Sequence, residues 1–191
     1  MFLKGDRCNS PKCAMVKRNY PPGQHGPKGS PRKSEYGLQL AEKQKAKKQY
    51  GVLEKQFRLT FEKGKHQSGN SGENLLKLLE MRLDNTVYRL GFAVSRGQAR
   101  QLVGHGHFTV NNKKVDITSF VVKTGDVIGV KESSKKHKNF KDLSEKLKNH
   151  HTPGWLHLEA KELTGKVLHQ PSVADIQTNI NSRMIVEYYS K

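Results

Sequence analysis

The chain of 191 residues has only two cysteines, Cys8 and Cys13. A secreted domain of this size held by disulfides needs more, so that class is set aside. Nowhere does the sequence approach the ~18 consecutive apolar residues of a membrane span, and no membrane partner is expected. Met1 to Gly5 lead into no apolar run, which argues against a secretory signal. Hydrophobic residues are scarce too, at 34% of the chain. Even with glycine counted as apolar, the content stays below the ~45–50% usual for soluble domains. Several small cores are therefore expected in place of one large one. No internal repeat is visible.

Acidic residues are the last shortage: 17 Asp and Glu face 35 Lys and Arg, a formal charge of +18. Such a charge opposes a compact state unless a polyanion neutralises it. Nucleic acid and an anionic membrane surface are the candidates, and the charge distribution separates them. Residues 1–70 hold 16 basic and 5 acidic side chains, 71–135 hold 10 and 6, and 136–191 hold 9 and 6. Charge spread along the whole chain, densest at a proline- and glycine-rich start, suits a nucleic acid. A membrane binder would gather it on one amphipathic helix.

Five of the seven prolines lie in residues 1–34, as in "YPPGQHGPKGSPRKS" (20–34). No helical or strand period runs through this segment, which reads as an extended basic arm that orders on its partner. From Glu35 the pattern is helical and basic nearly all round, with a stop at Gly51. Leu53, Phe57 and Phe61, four apart, then share a helix face that ends near Gly64. Ser71 opens a further run in which Leu75, Leu79, Leu83, Val87 and Leu90 form one stripe up to Gly91.

Ser95 with Gln98 matches a capping box, which starts a helix at Arg96. Ala99, Leu102 and Val103 face inward on it, while Arg96 and Arg100 share the opposite face. Gly104 and Gly106 supply the positive-φ positions that end it. The period then changes to two: Phe108 and Val110, a tight turn at Asn111-Asn112, and a return strand through Val115 and Ile117. A second strand pair brackets Lys123 to Asp126, with Val121 before it and Val127, Ile128 and Val130 after. Beyond these, Phe140, Leu143 and Leu147 suggest a short helix, "GWLHLEA" (154–160) alternates like a strand, and Ser172 to Asp175 looks like a helix start. The closing "MIVEYYSK" (184–191) packs back onto the helical part. The expected class is α+β, with an arm at 1–34, helices at 35–80, a helix–helix–sheet unit at 81–135, and a C-terminal segment, 136–191, returning to the helices.

His105 and His107 invite a catalytic reading. A general base needs an orienting partner, and a metal needs ligands on a rigid frame. Two histidines in a turn offer neither, and no H-E-x-x-H pattern supplies a carboxylate, so no catalytic residue is assigned. The arginines differ, because a guanidinium fork matches a phosphate and a helix N-terminus adds N–H donors. Arg96 in the first turn opposes the helix dipole, a placement that makes sense with an anion nearby. A solvated basic face is the plainer reading, and the net charge favours binding. Cys8 and Cys13 in "CNSPKC" form half of the four-ligand set that structural zinc needs, with His25 a third candidate across a long loop. Tyr20, Tyr36 and Tyr50 lie in basic stretches and suit either stacking on bases or packing.

Taken in order, "YPPGQHG" (20–26), "YGLQLAEKQK" (36–45), "YGVLEKQFR" (50–58), "GENLLKLLEMRLDNTVYRLGF" (72–92), "SRGQARQLVGHGHFTVN" (95–111), "VKTGDVIGV" (122–130) and "IVEYYSK" (185–191) resemble the bacterial small-subunit ribosomal protein S-four family. The resemblance implies a helix–helix–sheet unit inserted into a helical domain, binding of small-subunit ribosomal RNA, and nucleation of its 5′ domain. It implies neighbours in proteins S-five and S-three, a place where messenger RNA enters, and a cytoplasmic, ribosomal location. Carried over position by position, it assigns RNA-facing roles to Arg82, Arg89, Arg96, Gln98, Arg100, Gln101 and His105. In the arm it assigns them to Gly23, Gln24 and His25, and in the helices to Lys43, Lys47 and Arg58. Zinc-bearing relatives have a C-x-x-C pair upstream of the pair that Cys8 and Cys13 match. This chain starts too late to hold it, through truncation or reduction of the site. Two other classes share the central unit: RNA-modifying enzymes, which need a catalytic domain, and stand-alone ribosome factors, which leave the C-terminal match unexplained.

Overall fold

The proline- and glycine-rich start of the chain folds into turns more than into extended backbone. In the computed structural model, which describes residues 3–29, 32–137, 139–148, 150–176 and 178–190, it makes a 3₁₀ turn at Gly5–Asn9, one helical turn, α1 (Ala14–Lys17), and a second 3₁₀ turn at Gly26–Lys28. Residues 1, 2, 30 and 31 of the expected arm lie outside the described residues. Gly5 rests against Val94, where a methyl group on it would come within 2.6 Å of the carbonyl oxygen. The beginning of the arm is therefore seated on the loop ahead of the capped helix.

Ser34 starts α2 (Glu35–Tyr50) by accepting a hydrogen bond from the Gly37 N–H at 3.2 Å. Gly51 ends it in the left-handed region at φ 64. There follow α3 (Glu54–Lys65) and α4 (Ser71–Glu80), the latter capped by Asn70, one residue earlier than expected. Phe57 and Phe61 are buried as their spacing predicts, but Leu53 is 74% exposed because it stands just before the helix, outside its periodic face.

The helix expected to run on to Gly91 breaks after Glu80. Arg82 adopts an extended conformation (φ −70, ψ 140) and pairs with Val121, while the Met81 carbonyl accepts the Val122 N–H at 2.9 Å. A short α5 (Leu83–Arg89) follows. All five stripe residues are fully buried, yet they serve two cores: Leu75 and Leu79 in the helical lobe, Leu83, Val87 and Leu90 under the sheet.

Next come α6 (Arg96–Gly104), β1 (Phe108–Val110) and β2 (Lys113–Lys114). Asn111 and Asn112 both take positive φ (50 and 63), as a two-residue hairpin turn requires. Of the two glycines expected to end α6, Gly104 is helical and Gly106 alone carries the positive φ. β3 (Val127–Val130), α7 (Glu132–Lys135), α8 (Leu143–Leu147), β4 (Leu156–Glu159) and β5 (Thr164–Val167) complete one antiparallel sheet of order β2-β1-β3-β5-β4. The strand pair expected around Lys123 to Asp126 does not form, since Val121 is taken by Arg82 and β3 lies between β1 and β5.

That sheet moves the expected boundary at residue 135. Phe140, Leu147, Trp155, Leu156 and Val167 all join the sheet core, because the β4–β5 hairpin covers the edge that β3 would otherwise expose. From Ile176 onward the chain joins the helical core, ending in α9 (Ser182–Tyr189) against α2 and α4. Ser172 to Asp175 is a single turn, closed by the Ser172 hydroxyl donating to Asp175 at 2.7 Å, and starts no helix. The protein is α+β, and among the described residues no helix is long and apolar enough to cross a membrane. Trp155 is fully buried, so Trp155→Ala should cost about 3–5 kcal/mol in urea denaturation. Unchanged stability would restore the boundary at residue 135.

Candidate nucleic-acid interface

A buried carboxylate decides which cations reach the surface. Glu80, the last residue of α4, has no exposed area and lies where the two cores meet. Its Oε1 accepts from the Tyr50 hydroxyl (2.7 Å) and from Arg89 (2.7 Å), and its Oε2 accepts from Arg89 Nε (2.9 Å) and Asn85 Nδ2 (2.7 Å). Arg96 approaches to 3.9 Å, donates its Nε to Asn85 Oδ1 at 2.7 Å, and lies over the rings of Tyr50 and Tyr88. Burial alone would raise the Glu80 carboxyl, but the hydrogen bonds and charge of Arg89, then Arg96 and Tyr50, hold it below its usual range. Burial and the neighbouring Glu80 together push the Tyr50 phenol well up, so it stays a donor. The anion that the position of Arg96 asks for is thus Glu80, inside the protein.

Other predicted cations are also turned inward. Arg82 grips Asp84 with both arms of its fork (3.0 and 2.7 Å), and both side chains are 5% exposed. Lys43 is buried, pairs with Glu54 at 2.7 Å, and sits 4.5 Å from the centre of the Tyr188 ring. Lys47 takes the other oxygen of Glu54, Oε2, at 3.0 Å, and the Tyr189 hydroxyl donates to Oε1 beside Lys43 at 3.0 Å. Arg82, Arg89, Arg96 and Lys43 therefore do not form the free basic face that their sequence positions suggest. Gln98 is engaged too, with its Oε1 accepting the Val94 N–H at 2.9 Å. It thus bonds one residue ahead of the cap, while Ser95 Oγ accepts the Gln98 N–H at 3.2 Å.

What remains outside is a continuous strip on the sheet lobe. Gly97, Arg100, Gln101 and Gly104 are the exposed face of α6, and the exposed His105 caps its end. Arg100 spans the lobes by donating to the Gly51 carbonyl at 2.6 Å. Lys114 continues the strip, its stem crossing Gly106 so closely that a methyl there would meet Cε at 2.4 Å. Lys113 and Lys114 were not singled out in the sequence, although a lysine pair straight after an Asn-Asn turn is the signal that marks them. Arg58 is exposed beside Glu62 (3.2 Å), and Gly23, Gln24 and His25 are exposed on the arm. Of the tyrosines, Tyr50 is used by Glu80, Tyr36 meets Tyr188 (hydroxyls 3.4 Å apart), and Tyr20 is 44% exposed.

Cys8 and Cys13 are half-buried free thiols, and Cys8 Sγ accepts the Lys4 N–H at 3.2 Å. Among the described residues no group of three or more His, Cys, Asp or Glu could hold a metal ion, so His25 does not complete the half-site. These residues do not fit zinc.

A helical lobe joined through Glu80 to a helix–helix–sheet lobe defines a protein of the S4-domain class. The family model described as "Ribosomal protein S4/S9 N-terminal domain" matches residues 1–80, and that of the S4 domain matches 81–128. The chain is 58% identical over all 191 residues to small ribosomal subunit protein uS4A of Alkaliphilus oremlandii (strain OhILAs), covering 91% of that protein. It is 56% identical over 191 residues to uS4 of Clostridioides difficile (strain 630), again covering 91%. The chain belongs to the uS4 family of small ribosomal subunit proteins.

Two measurements check this electrostatic arrangement. Glu80→Ala should lower folding stability by about 3–5 kcal/mol, because it strands buried guanidinium charge; a loss below ~1 kcal/mol would remove Glu80 from its central role. Burial opposes ionisation of Glu54, but hydrogen bonds from Lys43, Lys47 and Tyr189 hold its carboxyl at about 2, against an ordinary 4.5. Its contribution is then complete above pH 4.5 and fades as pH falls toward about 2. The stability gap between wild type and Glu54→Gln should close across that window, and a constant gap would contradict the linkage.

Proposed function

We propose that this chain is a structural, non-catalytic constituent of the small ribosomal subunit that binds its ribosomal RNA. The observation that carries the reading is the division of cations. Arginines at the lobe junction are neutralised by Glu80 and Asp84, while Arg100, Gln101, His105, Lys113 and Lys114 stay exposed. Membership of a family whose relatives are named small ribosomal subunit proteins supplies the assembly. On this reading Arg100 and Lys114 contact phosphates, Gln101 and His105 add polar contacts, and the open backbone at Gly97 and Gly104 admits close approach of a sugar–phosphate chain. Gly23, Gln24 and His25 extend the contact along the arm, with Arg58 and Lys47 at its helical end. Arg82, Arg89, Arg96, Gln98 and Lys43 act from within by fixing the strip.

The reading extends to a cytoplasmic place in a bacterial ribosome, early binding that nucleates the 5′ domain, and neighbours S-five and S-three where messenger RNA enters. Family membership and the basic surface support these finer roles. Specificity is expected from RNA shape, since side chains do not reach into a deep A-form major groove.

Arg100→Ala should leave stability within ~1 kcal/mol of wild type. It should also flatten the salt dependence of RNA binding by ~0.9 or less in log–log slope. Arg96→Ala should do the reverse, costing stability while leaving the slope in place wherever the fold persists. If Arg96→Ala flattens the slope and Arg100→Ala does not, the division is wrong. Retention on salt-washed small subunits at about one copy each would separate a constituent from a loosely bound factor, which washes off as its phosphate contacts are screened.

A further inference from the structure

Where α6 ends, the Gly-His-Gly-His turn brings three imidazoles into a row. The ring centroids of His105 and His107 are 6.1 Å apart, and those of His107 and His137 are 5.3 Å apart. His107 is fixed in the middle. Its Nδ1 shares a hydrogen bond with the buried Ser134 hydroxyl at 3.0 Å, and its ring meets Phe140 edge-on at 5.7 Å. The outer two rings are exposed, with Lys136 beside His137 and Gln101 beside His105.

The surrounding charges are cationic or already paired. Lys114 crosses Gly106 between the two histidines of the turn, with its Nζ 3.1 Å from where a methyl on that glycine would sit. The Lys131 N–H donates to the His107 carbonyl at 2.9 Å. The nearby carboxylates are occupied: Asp116 by Lys114 (3.7 Å) and Glu132 by Lys135 (2.5 Å). Among the described residues none of the three imidazoles is ion-paired with a carboxylate. Burial first, then the neighbouring His137 and His105, push the central His107 below the usual imidazole range. A row of histidines beside lysines, in which no carboxylate pairs with an imidazole among the described residues, is a place where an arriving anion changes the protonation balance.

We propose that His105, His107 and His137, together with Lys114, form a phosphate-binding cluster that takes up a proton when nucleic-acid backbone docks on it. The chain therefore holds RNA more tightly as pH falls. The inference rests on the RNA-binding reading above and adds a regulated contact to it, with His107 and His137 as members that reading does not use. The proton comes from solvent to an imidazole nitrogen, and no bond in the RNA changes. An imidazolium next to a phosphate is stabilised relative to imidazole, so the bound state holds more protons than the free state through the ordinary imidazole range.

The test is the affinity of the full chain for a transcript of small-subunit ribosomal RNA, measured at fixed ionic strength. Binding should strengthen about three- to tenfold between about pH 8 and about pH 6 for wild type, as expected for uptake of up to one proton. The double variant His105→Gln/His137→Gln alters only exposed side chains, so it should fold normally and bind without that pH dependence. Replacing the same pair with lysine should keep tight binding at both pH values. Wild-type affinity that is flat with pH would overturn the proposal, as would a pH slope that survives unchanged in the glutamine pair. No wild-type binding at either pH would instead overturn the RNA-binding reading, and the two failures are thereby told apart.

Discussion

A full negative charge with no exposed surface, Glu80, is the constraint on which the rest of the molecule depends. An isolated carboxylate at such a depth is costly unless paired and hydrogen-bonded on every side. Its partners come from three other helices: Tyr50 closes α2, Asn85 and Arg89 come from α5, and Arg96 opens α6. Satisfying one charge therefore aligns the helical lobe, the connecting helix and the helix that carries the exposed strip. Glu80 is also the last residue of the first family match, while Asn85, Arg89 and Arg96 lie in the second. The two matched segments are joined by this network as well as by the chain itself.

The same network sorts the positive charge. A chain of net +18 has more cations than it can place beside carboxylates, yet several of its few acids are spent on its own cations: Glu80 and Asp84 inside, and Glu54 nearer the surface. Glu80 and Asp84 hold arginines in low-dielectric surroundings, where the geometry of a fork counts for more than charge alone, and Glu54 holds Lys43 beside an aromatic face. The excess is displaced outward, onto the arm and the strip from Gly97 to Lys114, where a polyanion can neutralise it. Internal pairing and external binding thus follow from one distribution of charge.

The sequence displayed the local patterns of this fold and hid the long-range ones. The capped start at Ser95, the stripe from Leu75 to Leu90 and the Asn111-Asn112 turn all obey periods or turn rules readable over a few residues. The break at Met81–Arg82 does not, because the pairing that causes it is with Val121, far along the chain. The alternation in "GWLHLEA" marked a strand, but only the folded chain shows that β4 and β5 extend the sheet beyond residue 135. At the site, the position of Arg96 signalled an anion without saying that Glu80 is that anion. Lys43 looked exposed because it stands among lysines, and Glu54 and two C-terminal tyrosines draw it inside. The family resemblance was legible for a different reason: many short motifs kept their order along the whole chain.

The most direct test of the account is a structure of this chain bound to small-subunit ribosomal RNA. Arg100 and Lys114 should then lie within hydrogen-bonding distance of phosphate oxygens, with the Arg96 guanidinium still beside Glu80. Arg96 swung out onto a phosphate, leaving Glu80 without it, would contradict the division between structural and RNA-facing cations.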